Sequence, residues 1–151
     1  MFSGETGRIV RVFKDQGEQR LAREMSAIMA RAMPPSWAFD AIVHVPATKV
    51  AFRRRGFDHA ELLARSLSDQ LGVASVNGLA RPKTYDQRKL TGAQRVANLA
   101  GSFEAHSDAC RGRRILLVDD VYTTGATLCA ATDALLAGGA REVRCLTFAR
   151  V

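Results

Sequence analysis

Two spacings of apolar residues alternate along the chain. From about Gln19 to Met33, Leu21, Met25, Ile28, Met29 and Ala32 recur at helical spacing, and Pro34-Pro35 ends the element. Ala41 to Val45 is a short run rich in β-branched residues, closed by Pro46, which predicts a buried strand. Phe57 to Leu71 returns to the helical period through Leu62, Leu63, Leu67 and Leu71, with Gly72 as the stop. A second short strand is expected at Val73 to Val76, with Asn77-Gly78 turning the chain. Arg81 to Asn98 breaks the pattern. It is polar and basic, and predicts a long loop with a helical turn or two near Ala93 to Leu99. Ile115 to Val118 places four aliphatic residues in a row, as in a strand buried on both faces. A helix follows from Gly125 to about Ala137, ended by Gly138-Gly139, and a last strand is expected at Val143 to Phe148. Strands separated by helices imply βαβ units, and hence an α/β fold: a single doubly wound domain, residues 1–151, with a mainly parallel sheet.

Composition agrees. A chain of 151 residues with 47% hydrophobic and 25% charged positions has the size and mix of one globular core. Disordered, collagen-like and coiled-coil classes are excluded. No apolar run approaches the roughly 18 to 20 residues of a membrane span, so no membrane role is expected. The N-terminal residues show no apolar core of a secretory signal. Cys110, Cys129 and Cys145 are scattered, without a C-x-x-C pair, and read as reduced thiols in a cytoplasmic protein. The net charge of +7 favours an anionic partner.

The chemistry concentrates in Ile115 to Thr127, I-L-L-V-D-D-V-Y-T-T-G-A-T. An aliphatic strand delivers two acids to its carboxyl end, where open α/β sheets bind ligands. The turn Thr123, Thr124, Gly125, Ala126 and Thr127 then opens a helix, whose free N–H groups and positive dipole end suit a phosphate. Asp119 and Asp120 would repel that phosphate, so they make sense as acceptors for the hydroxyls of a ribose diol. Neighbours on a strand point to opposite faces. The strand is therefore expected to end at the acids, so that both reach one ligand. A helix cap explains one such residue, but not two acids, three threonines and a glycine together.

This segment resembles the signature of type I phosphoribosyltransferases, which bind phosphoribosyl pyrophosphate (PRPP); Tyr122 stands where the general pattern prefers an aliphatic residue. The resemblance implies that Asp119 and Asp120 hold the ribose hydroxyls as the catalytic pair, and that Thr123 to Thr127 cradle the 5-phosphate. Val45-Pro46-Ala47-Thr48, then Arg54-Arg55-Gly56-Phe57-Asp58-His59-Ala60-Glu61-Leu62-Leu63-Ala64, resemble the competence protein ComF family. So do Arg81, Lys83, Thr84, Gln87, Leu90, Arg95, Asn98 and Phe103 at that family's spacing. Asp58 and His59 replace its usual Asn and Gln, and Ala47-Thr48 a common Leu-His. The cysteine-rich zinc module of full-length members has no counterpart here.

Several roles follow as expectations. Arg53-Arg54-Arg55 reads as a basic loop beside the acids, where the superfamily carries its pyrophosphate loop. A guanidinium fork fits phosphate oxygens, so Arg55 is a candidate contact and Thr48 a weaker one. Lys83, Arg88 and Lys89, in the loop resembling the superfamily's flexible cover, are candidates to neutralise the leaving pyrophosphate. His44 reads as a core histidine, and Trp37 and Phe39 as packing residues. The activity implied is transfer of phosphoribosyl from PRPP to a nitrogenous, base-like acceptor. Mg²⁺ would be bound through PRPP, with no metal ligand assigned to the chain. The alternative is a non-catalytic PRPP-binding accessory protein working with DNA-uptake partners. Direct nucleic-acid binding is expected to be unspecific, because aromatics make up only 7% of residues. A homodimer is compatible with either reading.

Overall fold

A computed structural model describes residues 8–10, 12–13, 20–82 and 102–150. The sheet is built on β1 (Ala41–His44), β4 (Arg114–Tyr122) and β5 (Glu142–Arg150), all parallel, in the order β1-β4-β5. Helix α1 (Leu21–Ala32) precedes β1. Helices α2 (Lys49–Arg55) and α3 (His59–Leu71) follow it, and α5 (Ala126–Ala137) joins β4 to β5. A two-residue antiparallel ladder of β2 (Leu79–Ala80) with β3 (Glu104–Ala105), and the single turn α4 (Ser107–Cys110), complete the description.

Alternation along β1 and β4 divides the core into two layers, as a doubly wound fold requires. Ile42, Leu116 and Val118 pack with Leu146 and with Met25, Met29, Leu63 and Leu67 from α1 and α3. Ala41, Val43, Ile115 and Leu117 pack on the other side against Leu128, Ala131 and Leu135 of α5. The run Ile115 to Val118 is buried on both faces, as its composition predicts. Trp37 and Phe39 pack against the first layer. Ile28, assigned to the buried stripe of α1, is 45% exposed, and Ala22 and Ser26 take the inward positions. Ser26 is accommodated because its hydroxyl meets that of Ser66 at 2.7 Å and accepts from Gln70 Nε2 at 2.6 Å.

Three expectations are corrected. Val73 to Val76 forms no strand, only one parallel bridge between Ser75 and Ile42. Ile42 exchanges two backbone bonds with Ala74 and Val76. The chain then turns at Asn77-Gly78, where the Gly78 carbonyl accepts from His106 N–H instead. Gly78 is required there, since a Cβ would lie 2.6 Å from Val43. Arg53-Arg54-Arg55 is not loop but the last turn of α2, begun by Thr48, whose hydroxyl accepts from Ala51 N–H, and ended by Gly56 at φ +81°. Helix α2 buries no residue and leaves Val50 and Phe52 exposed, so it has no apolar stripe for periodicity to detect. Finally, β4 does not end at the acids but runs on to Tyr122. The expected turns near Ala93 to Leu99 lie outside the described residues.

Asp40 and Arg114 tie the start of β1 to the start of β4. Arg114 donates from Nη2 to Oδ1 at 2.7 Å and from Nε and its own backbone N–H to Oδ2. These hydrogen bonds from the Arg114 side chain and backbone hold the Asp40 carboxyl at about 2, below its ordinary 3.8. A carboxyl depressed on folding stabilises above its unfolded value and stops doing so as pH falls through the folded one. The contribution of this pair is therefore complete above pH 4 and lost between pH 4 and pH 2. Urea titrations across that window should show Asp40→Asn abolishing this share of the acid destabilisation. Equal pH slopes in both proteins would contradict it.

Candidate functional site

Strand β1 stops at His44, because Pro46 has no N–H to continue the ladder, while β4 runs on past it. The offset leaves a cavity of about 320 Å³ at the carboxyl ends of the two strands. Its walls come from the β1–α2 turn (Pro46, Ala47, Thr48), the end of α2 (Arg55), the start of α3 (Asp58, His59), Arg81, the acids of β4, and Thr123 and Thr127.

The acids meet here without the strand ending. Asp119 and Asp120 both line the cavity, and Asp119 Oδ1 turns back to accept the Asp120 N–H at 2.8 Å. Asp120 is buried, at 6% exposure, and Asp119 partly so. Beyond Tyr122 the turn reaches Gly125 at φ +81°, a conformation that disfavours any residue with a Cβ. A Cβ there would also stand 2.7 Å from the Tyr122 hydroxyl, so the aromatic residue in place of an aliphatic one packs on the glycine itself. Helix α5 begins without a side-chain cap at Gly125, and Thr124 Oγ1 accepts from Ala126 N–H at 3.4 Å. A recess lined by Asp119, Thr123, Gly125 and Thr127 lies at this helix start. Of the predicted phosphate turn, Thr123 and Thr127 line both the cavity and the recess and the buried Gly125 lines the recess, while Thr124 and Ala126 serve the turn.

On the opposite wall, Thr48 caps α2 and lines the cavity. Arg55 lines it too, and its Nε is buried without a hydrogen-bond partner among the described residues. A buried donor of this kind is costly unless a ligand supplies an acceptor. Lys83 and Arg88 lie outside the described residues, as does Lys89.

Two cavity residues carry roles that the sequence did not reveal. Asp58 Oδ1 accepts from Ala60 and Glu61 N–H, capping α3, and Oδ2 accepts from Ala47 N–H at 2.6 Å. One carboxylate therefore fixes both the helix and the β1–α2 turn. Asp and Asn cap equally well, which accounts for Asp58 in place of the Asn of the ComF pattern. The D-x-x-E spacing of Asp58 and Glu61 was the available signal. His44 lies behind it, its Nε2 at 4.0 Å from Asp58 Oδ2. Burial lowers its pKa despite the attraction of Asp58, as for a core histidine. Arg81 matched the family spacing but had no assigned role. Its Nε donates to the Pro46 carbonyl at 2.7 Å, and its guanidinium lies 4.4 Å from the centre of the Phe103 ring. Burial lowers its pKa, opposed by Asp119 and Asp58. The cavity therefore sets Arg55 and Arg81 beside Asp58, Asp119 and Asp120, with a helix N-terminus at one end.

The chain belongs to the phosphoribosyl transferase domain family, which it matches over residues 50–151. Within that family it is ComF-like. It is 35% identical over 115 residues to competence protein F of Haemophilus influenzae, covering 74% of this chain and 50% of the relative. It is also 40% identical over 111 residues to adenine phosphoribosyltransferase of Frankia casuarinae, covering 69% and 54%. The chain spans about half the length of the curated relatives it matches. The glutamine phosphoribosylpyrophosphate amidotransferase of B. subtilis shares the fold, with a TM-score of 0.63 at 19% identity over 84% of this chain and 26% of that one. Among the described residues no helix is long and apolar enough to cross a membrane.

Proposed function

We propose that the protein binds PRPP in this cavity and transfers its phosphoribosyl group to a nitrogenous acceptor, releasing pyrophosphate. The observation that carries the reading is the convergence on one cavity of an uncapped helix start, two carboxylates and two arginines. The 5-phosphate sits at Thr123, Gly125 and Thr127, on backbone N–H groups and hydroxyls. Asp119 and Asp120 accept the ribose hydroxyls and so fix the ring. Arg55 and Arg81 face the pyrophosphate, joined by Thr48. As the acceptor nitrogen forms its bond to ribose C1, the C1–oxygen bond breaks and the electron pair leaves with pyrophosphate. The arginines stabilise that growing charge, and the acids sit close to the positive charge developing on the ring. Asp119 and Asp120 would offer hard carboxylate oxygens to a Mg²⁺ arriving on PRPP. When bound, Mg²⁺ would neutralise part of the pyrophosphate charge.

A second reading is favoured by one observation, that a relative at 35% identity is named for competence. In it, the same cavity binds PRPP without turnover, and the protein serves DNA uptake as an accessory factor. Calorimetry with PRPP, with and without Mg²⁺, tests what both readings share. Arg55→Gln is expected to weaken binding by roughly 10-fold, the loss of one charge-assisted contact. Wild-type affinity in that variant would remove Arg55 from the site. A pyrophosphate-release screen over purines, pyrimidines and related bases then separates the readings. Release with any of them supports the transferase, whereas tight PRPP binding with no release across the panel supports the accessory role.

A further inference from the structure

A second hollow, of about 380 Å³, is bordered by α5 and β5 and shares Tyr122, Gly125 and Leu128 with the recess at the phosphate turn. Two of the three free thiols of the chain, Cys129 and Cys145, line it and are exposed, whereas Cys110 is buried. Cys129 belongs to the first turn of α5. Cys145 is held in β5 beside Leu117 of the central strand. Thr132, one turn further along the helix than Cys129, brings its hydroxyl to 3.6 Å from Cys145 Sγ. Side chains three apart on a helix stand side by side, so Cys129 borders the gap that Thr132 already spans. Desolvation of its sulfur raises the Cys145 pKa, the Thr132 hydroxyl opposes that shift, and charge on Cys129 adds to it. A charge on one thiol is therefore felt by the other. The proposed transfer chemistry uses neither.

We infer that Cys129 and Cys145 form a redox pair, joined into a disulfide by a hydroperoxide, and that the closed pair loosens the phosphate turn. The Cys129 thiolate attacks an oxygen of the peroxide and breaks the O–O bond. Its sulfur becomes a sulfenic acid, and the hydroperoxide leaves as an alcohol, or as water from hydrogen peroxide. Cys145, slower to ionise, then attacks that sulfur, and the S–O bond breaks to release water. The two thiols have lost two electrons and two protons, which the peroxide has gained. The new bond sets the sulfurs about 2 Å apart, so Cys129 is drawn toward β5. Strand β5 is fixed by its pairing with β4, and the first turn of the helix is the part that moves. The Cys129 N–H donates to the Gly125 carbonyl at 2.8 Å, so its shift reaches Gly125 and the N–H groups at the helix start. Gly125 cannot yield toward Tyr122, whose hydroxyl lies 2.7 Å from the place a Cβ would take. The effect on PRPP rests on the proposed function; the disulfide does not.

Hydrogen peroxide added to the whole chain should leave one of the three thiols titratable in denaturant. Peptide mapping without reductant should find Cys129 joined to Cys145 within one chain, and Cys129→Ser or Cys145→Ser should each prevent the bridge. Amide hydrogen exchange over residues 125–129 should quicken on oxidation, a readout that involves no PRPP. Calorimetry should show PRPP binding weakened about tenfold or more in the oxidised protein, restored by dithiothreitol, and unmoved by peroxide in either serine variant. Three surviving thiols, a bridge through Cys110 or one formed only between chains would overturn the pair. A mapped bridge with unchanged exchange and unchanged PRPP affinity would overturn its hold on the turn. A reduced protein that does not bind PRPP would sink the proposed function alone, since mapping and exchange still decide the redox pair.

Discussion

Replacing Asp119 and Asp120 together by Asn is expected to weaken PRPP binding by roughly 10-fold or more, since charge-assisted hydrogen bonds are worth about 1.5 to 3 kcal/mol each. The substitution keeps size and shape. It replaces carboxylate oxygens, which only accept, with an amide that accepts less strongly and brings donors a hydroxyl does not need. The fold should tolerate it. The Asp120 N–H that now bonds Asp119 Oδ1 can bond an amide oxygen equally well. Three acids, Asp58, Asp119 and Asp120, share the cavity, so removing two charges relieves repulsion. Calorimetry and a thermal melt on one preparation check both halves. A large drop in Tm with unchanged PRPP affinity would make the acids structural.

The second large effect is expected at Gly125. Gly125→Ala forces a side chain into a left-handed conformation, which costs about 1 to 2 kcal/mol. It also drives the new Cβ to 2.7 Å from the Tyr122 hydroxyl and 3.0 Å from its ring. The turn has to shift, and with it the N–H groups at the head of α5. Tm should fall by several degrees, at roughly 2 to 4 °C per kcal/mol for a domain of this size. PRPP affinity should fall by more than 10-fold, since a displaced turn misplaces several phosphate contacts at once. Adding Tyr122→Leu restores the space but not the backbone preference, so it should recover only part of the loss. Lowered stability with intact PRPP affinity in Gly125→Ala would move the phosphate away from this turn.

The fold was legible where burial is regular. The stripe of α1 and α3, the double-faced Ile115 to Val118 and the glycine stops of α3 and α5 each leave a periodic or terminal mark. Helix α2 left none, because Val50 and Phe52 face solvent and its start depends on one threonine hydroxyl. The bridge at Ser75 is too short to differ from loop. In the site, the acids and the phosphate turn were readable because their chemistry lies in consecutive residues. Asp58 and Arg81 were not, since their partners are Ala47, Pro46 and Phe103, which only the fold brings near. The strand end expected at Asp119 was inferred from pleat geometry alone. It failed because the early stop of β1 opens the cavity, and a carboxylate can fold back along its own strand.

Arg81 differs from the other cavity arginine in what it has already given up. Held by the Pro46 carbonyl and laid against the face of Phe103, its long side chain has surrendered most of its rotamer freedom. Ordering such a side chain on binding otherwise costs about 0.5 to 1.5 kcal/mol. An anion arriving between Arg55 and Arg81 would therefore find one guanidinium preorganised, its contribution weighted toward enthalpy. Phe103, which does not line the cavity, would thus act on affinity by holding Arg81 in place.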